Sequence, residues 1–119
     1  MVEIETEEQN DRIHAEALKL DFEGVWLGLD DTATEGKFLL GSGETPSFTN
    51  WAKGQPKNWK NKEHPQGEDC ACLNIKERHK GATWAAPKKW NDVFCDGLNN
   101  VVCQYEKEGF VRAALCKRE

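Results

Sequence analysis

Gln55-Pro56-Lys57-Asn58-Trp59, closing at Gly67-Glu68-Asp69-Cys70, is the part of this chain around which the rest is organised. It opens on a proline bracketed by polar side chains and ends on two adjacent carboxylates beside a cysteine. Trp90-Asn91-Asp92 follows downstream, with Cys95 shortly after it. If Cys70 and Cys95 are bonded, Glu68 and Asp69 are drawn toward Asn91 and Asp92. Such a cluster offers carboxylate and amide oxygens, the donors that a hard cation such as calcium takes in sixes to eights. Lys57 is discordant, because it sets an ammonium where another oxygen would be wanted.

The bulk composition narrows the field. A chain of 119 residues with 38% hydrophobic and 31% charged residues makes one globular domain, small enough to profit from covalent staples. No apolar run approaches the roughly 18–20 residues of a membrane helix, so membrane insertion is not expected. A net charge of −5 argues against nucleic acid, which needs a basic face to neutralise phosphate. Five cysteines point to an oxidising, extracellular setting, and the odd count leaves at least one thiol outside any pairing within the chain. No secretory leader is legible, which fits either a processed chain or an excised one. Cys70-x-Cys72 lacks the second cysteine or histidine pair of a zinc site. His14, His64 and His79 are scattered, with no nucleophile–base pairing to suggest an enzyme.

Read in order, Met1 to Glu5 alternates like a short strand or entry segment. Thr6 and Gln9 have capping-box spacing, Glu7 and Glu8 suit the first turn, and Ile13, Ala17 and Leu20 mark an amphipathic helix from Glu7 to Leu20. His14 reads as part of its exposed face. Val25 to Leu29 is a buried strand running into the polar loop Asp30 to Gly36, and Lys37 to Leu40 is a second strand. Ala71 to Ile75 suits a central strand, Lys76 to Lys80 a charged turn, Thr83 to Trp90 a returning strand and Val101 to Tyr105 a closing one. Early helix and many short strands with long polar loops give an α+β pattern.

These residues together resemble a C-type lectin-like domain, over residues 1–105 of a single domain spanning 1–119. Trp26-Leu27-Gly28-Leu29 is similar to the family's core strand, and Asp31 with Glu35 to its first calcium loop. Glu68-Asp69-Cys70 and Trp90-Asn91-Asp92 with Cys95 are similar to its two best-known landmarks. The resemblance implies a double-looped α+β fold of two helices with small antiparallel sheets, stabilised by disulfides. It implies a Cys70–Cys95 bond, and for Cys103 a partner on a first helix that has no counterpart ahead of residue 1. Phe110 to Glu119 has helical composition and carries Cys116. The expectation is therefore that residues 110–119 are the displaced first helix of a circularly permuted or excised domain, with Cys116 bonded to Cys103; an unrelated tail is the alternative. Cys72 is then left over, buried as a small hydrophobe.

In sugar-binding members, one calcium ion is held by residues flanking a proline, by the Glu of Glu-Asp-Cys and by the Asn-Asp pair, which also hydrogen-bond the sugar hydroxyls. By resemblance these are Gln55, Glu68, Asn91 and Asp92, with Lys57 in a ligand position. A second ion would use Asp31, Glu35, Asn58 and Asp69. Gln55 and the ten-residue loop between Lys57 and Glu68 are galactose-like, implying galactose or N-acetylgalactosamine. Trp59 is placed to stack on the sugar, or else to pack the loop, and His64 to touch a substituent such as N-acetyl. Lys57 leaves three outcomes open. It swings to solvent beside a bound ion, replaces the ion by pairing with Glu68 and Asp92, or leaves only the Asp31 site to bind metal. The implied partners are glycans or glycoproteins, with homo-oligomers supplying avidity. The alternative is a lectin-like domain that binds protein or mineral surfaces without coordinating sugar.

Overall fold

A computed structural model describes residues 2–58, 60, 62–63, 65, 67–77, 80–95, 102–107 and 110–115, the last two stretches as backbone alone. The helix α1 (Glu7–Lys19) is followed by β1 (Gly24–Asp30), β2 (Leu39–Leu40), β3 (Cys70–Asn74), β4 (Trp90–Val93), β5 (Val102–Lys107) and β6 (Phe110–Leu115). The first four strands form one antiparallel sheet in the order β2-β1-β3-β4, and β5 and β6 form a separate antiparallel pair. The α+β class is as the sequence implies.

Local chemistry explains the helix. The Thr6 hydroxyl accepts from the Gln9 N–H at 3.1 Å, satisfying one end donor, and the Gln9 side chain reaches back to accept from the Glu5 N–H at 2.8 Å, just ahead of the cap. Glu7 and Glu8 lie at the positive end of the helix dipole and Lys19 at the negative end. Asn10, Ile13, His14 and Ala17 form its buried face. His14 is thus in the interior, not on the exposed face read from its polar neighbours. Its Nε2 meets the Ile75 carbonyl at 2.9 Å, and this partner 61 residues away compensates the burial.

The core joins that face to Val25, Leu27 and Leu29 of β1, Ala71 and Leu73 of β3, and Trp90 of β4. β1 alternates buried and half-exposed positions, whereas Ala71 to Asn74 of β3 are all buried, as befits a central strand. Trp90 is the hub. Its indole N–H donates to the Asn10 side chain at 2.7 Å, and its ring meets Phe48 and Trp51 edge-on at 5.8 Å each. Backbone bonds from Ala52 N to Trp90 O and from Trp90 N to Asn50 O, both 2.8 Å, bolt the start of the long loop to β4.

Several expectations are corrected. Phe110–Leu115 is a strand, not a first helix: it pairs with β5 from Val102↔Leu115 to Lys107↔Phe110. Helix propensity is a weak prior, and here a free strand edge two residues away in sequence outweighs Ala113-Ala114-Leu115. Cys116 and the Cys103 side chain lie outside the described residues, and so does their pairing. Among the described residues there is one α-helix rather than two. Thr83–Ala85 is a 3₁₀ turn, not strand, and regular pairing resumes only at Trp90. Pro87 has no N–H to give to a sheet, and Lys88 sits at φ 71°. The second strand shrinks to Leu39–Leu40.

Candidate functional site

Strand pairing brings the two halves of the acidic cluster together. β3 and β4 pair Cys70↔Val93 and Ala71↔Asp92, and the Cys70–Cys95 disulfide closes the same end with Cα atoms 5.1 Å apart. At the end of β1, Asp30 pairs with Cys70 after a register shift, and the Asp31 N–H donates to the Asp69 carbonyl at 3.0 Å. Glu35 follows one turn later, where the Gly36 N–H caps the Asp31 carboxylate at 2.9 Å. One oxygen each from Asp31, Glu35 and Asp69 lies within 4.8 Å of the others.

Asn58 completes this cluster. Its side-chain N–H donates to Glu35 at 2.5 Å, and its backbone N–H donates to Asp92 at 2.6 Å. Gly67 is what allows the close approach. It sits at φ +94°, and a Cβ there would fall 2.2 Å from the Asn58 side-chain oxygen. Asp31 is 1% exposed and Asp69 9%, and one oxygen of each, with the Asn58 Oδ1, is buried without a hydrogen-bond partner. Burial, then the Asp31 carboxylate, then Glu35 push the Asp69 carboxyl up to about 7. Two carboxylates with unpartnered buried oxygens, Asp31 and Asp69, beside the exposed Glu35 carboxylate and a neutral amide oxygen, fit a hard cation; the buried pair is costly without one.

A second group of residues borders the first. Gln55, Lys57, Glu68 and Asn91 line an open cleft of about 400 Å³, and Trp84 lines it with them. The Gln55–Pro56 bond is cis, and the Gln55 Oε1 is a further buried oxygen without a partner. Asp92 is fully buried beneath this cleft. Its two oxygens accept the backbone N–H groups of Lys57 (3.0 Å) and Asn58 (2.6 Å), so it holds the loop that carries both clusters. Lys57 itself is exposed, and among the described residues its ammonium lies within 4.0 Å of no carboxylate. Replacement of the ion by a Lys57 pair with Glu68 and Asp92 is therefore not the arrangement present.

Sequence reasoning missed Trp84. Read as part of a returning strand, it instead tops the 3₁₀ turn, 36% exposed, with its carbonyl held by the Asn74 side chain at 2.8 Å. The clue lay in Gly81-Ala82-Thr83 before it and Pro87 after it, both turn signals. Trp59 and His64 lie outside the described residues. Cys72 is buried, its sulfur 4.0 Å from the Asn74 side-chain oxygen.

The Lectin C-type domain family matches residues 1–105, and the chain belongs to that family. It is 37% identical over 81 residues to an alpha-N-acetylgalactosamine-specific lectin of Patiria pectinifera, covering 68% of this chain and 40% of that protein. It is 35% identical over 80 residues to asialoglycoprotein receptor 2 of Mus musculus, covering 67% of this chain and 23% of that protein. The chain thus spans less than half the length of these relatives. Among solved structures, the human scavenger receptor C-type lectin carbohydrate-recognition domain matches with a TM-score of 0.65 and 32% identity, covering 83% of this chain and 66% of that one. These are binding proteins, and this chain is a binding domain rather than an enzyme.

Proposed function

We propose that this domain binds carbohydrate in a calcium-dependent manner, with a bias toward galactose and N-acetylgalactosamine. The observation that carries the reading is the pair of adjoining clusters. Asp31, Asn58 and Asp69 present buried, unpartnered oxygens with the exposed Glu35 carboxylate beside them, and Gln55, Glu68 and Asn91 line the adjoining cleft. When bound, calcium supplies a strong positive charge and open coordination positions that two neighbouring hydroxyls can fill. Gln55 and Asn91 provide amides that both donate and accept, and Glu68 provides an acceptor, which together can orient vicinal hydroxyls. Asp92 acts from below, by fixing the Lys57–Asn58 backbone. The likeness to an N-acetylgalactosamine-specific lectin supports the galactose-type half of the reading.

One ion is assigned to Asp31, Glu35, Asn58 and Asp69. A second is assigned to Gln55, Glu68, Asn91 and Asp92, beside an outward-turned Lys57. Trp59 and His64 are assigned to sugar contacts from the loop. The Cys70–Cys95 disulfide supports an extracellular placement, and glycans or glycoproteins are the natural partners, with homo-oligomers raising avidity. A panel of immobilised neutral saccharides tests the reading. Binding in calcium that a chelator abolishes is expected, strongest on terminal galactose or N-acetylgalactosamine. Absent or chelator-insensitive binding would overturn it.

A further inference from the structure

We propose that the cleft is built for an anionic saccharide, with Trp84 stacking on the sugar ring and Lys57 pairing with its sulfate or carboxylate group. The inference rests on the proposed function and deepens it by naming the chemical class of the ligand. Two observations carry it. The first is the wall made by Trp84, an exposed indole on a turn anchored from below by buried Ala85 and by the Asn74 bond to its carbonyl. An aromatic face carried on a turn held this way offers a flat platform to the C–H face of a pyranose.

The second is charge. The chain as a whole carries −5, yet residues 53–62 hold Lys53, Lys57, Lys60 and Lys62 and no carboxylate. All four are exposed, and Lys57 lines the same cleft as Trp84. A lysine in this position contributes no oxygen to a cation. Turned outward without a carboxylate partner among the described residues, it presents three donors and a full charge at the mouth of the cleft. A neutral hexose can accept a hydrogen bond from the ammonium but has no charge to complement it. A sulfate ester or a uronic carboxylate has that charge, and the neighbouring lysines would attract it from a distance.

The test is a direct binding titration in calcium with galactose, a sulfated galactose and galacturonic acid as separate arms, on wild type, Lys57→Gln, Trp84→Phe and Trp84→Ala. Wild type should prefer at least one acidic sugar over galactose by about fivefold, as one exposed ion pair allows, and the preference should shrink as salt is raised. Lys57→Gln should erase that preference. Trp84→Ala should weaken all arms, and Trp84→Phe should restore most of the loss, with melting curves confirming that each variant is folded. Preference for both acids marks recognition of charge, and preference for one marks recognition of that group's shape. Equal binding of neutral and acidic sugars would overturn the inference while leaving calcium-dependent sugar binding intact. No binding in any arm would overturn both.

Discussion

At the scale of single residues, Gly67 and Asp69 set the terms on which the acidic cluster exists. Gly67→Ala forces a Cβ into a left-handed backbone and onto the Asn58 side chain. The strain should cost about 1–3 kcal/mol. It should also weaken calcium binding, because Asn58 must swing away from Glu35; thermal melts with and without calcium will read both effects. Asp69 carries the pH dependence. Its carboxyl is raised from 3.8 to about 7 in the folded, metal-free protein, so only at pH well below 3.8 are folded and unfolded forms equally protonated at this group. As pH rises from 4 to 7 the unfolded chain loses this proton first, and the group's contribution turns against folding. Metal-free wild type should therefore lose stability relative to Asp69→Asn across that window, and calcium should remove the deficit. A difference between the two proteins that stays flat with pH would contradict the assignment. Most of this was legible in part: the carboxylates Asp31, Glu35 and Asp69 could be read from their landmarks, but the burial of Asp31 and Asp69 could not. Burial depends on the register shift at the end of β1, which no local pattern encodes.

At the scale of elements, the helix and the sheet are locked through Asn10. It accepts from the Trp90 indole and donates to the Lys88 carbonyl at 2.9 Å, bridging α1 to the strand that carries Asn91 and Asp92. Asn10→Ala leaves the buried indole N–H unpaired, and denaturant unfolding should show a loss of about 1–3 kcal/mol. Reduction of Cys70–Cys95, which spans 25 residues, should cost about 3 kcal/mol by releasing the end of β3 from the chain beyond β4. A reduced protein as stable as the oxidised one would show that the bond plays no such part. The helix, β1 and β3 were readable because capping and apolar periodicity agree with the tertiary environment. The C-terminal strand was not, since Ala113, Ala114 and Leu115 favour helix in isolation and only the neighbouring β5 edge makes them a strand. Trp84 was hidden for a related reason, because its turn gains its meaning from the cleft opposite.

At the scale of the whole molecule, a small core under a long loop is the organising principle. The aromatic cluster of Phe48, Trp51 and Trp90 pins the start of that loop, and the disulfide and Asp92 fix where it returns. Two clusters of oxygen donors then meet at one end of the sheet, with Lys57 facing outward between metal and ligand chemistry. The central claim is that these oxygens take calcium and that sugar binding depends on it. A calorimetric titration of the metal-free protein with calcium, repeated with galactose present, tests it most directly. Saturable binding with an affinity of roughly 0.1–1 mM or tighter, and heat from galactose only after calcium is added, is the predicted result. A folded protein that takes up no calcium over that range, or that binds galactose equally in chelator, would contradict the claim.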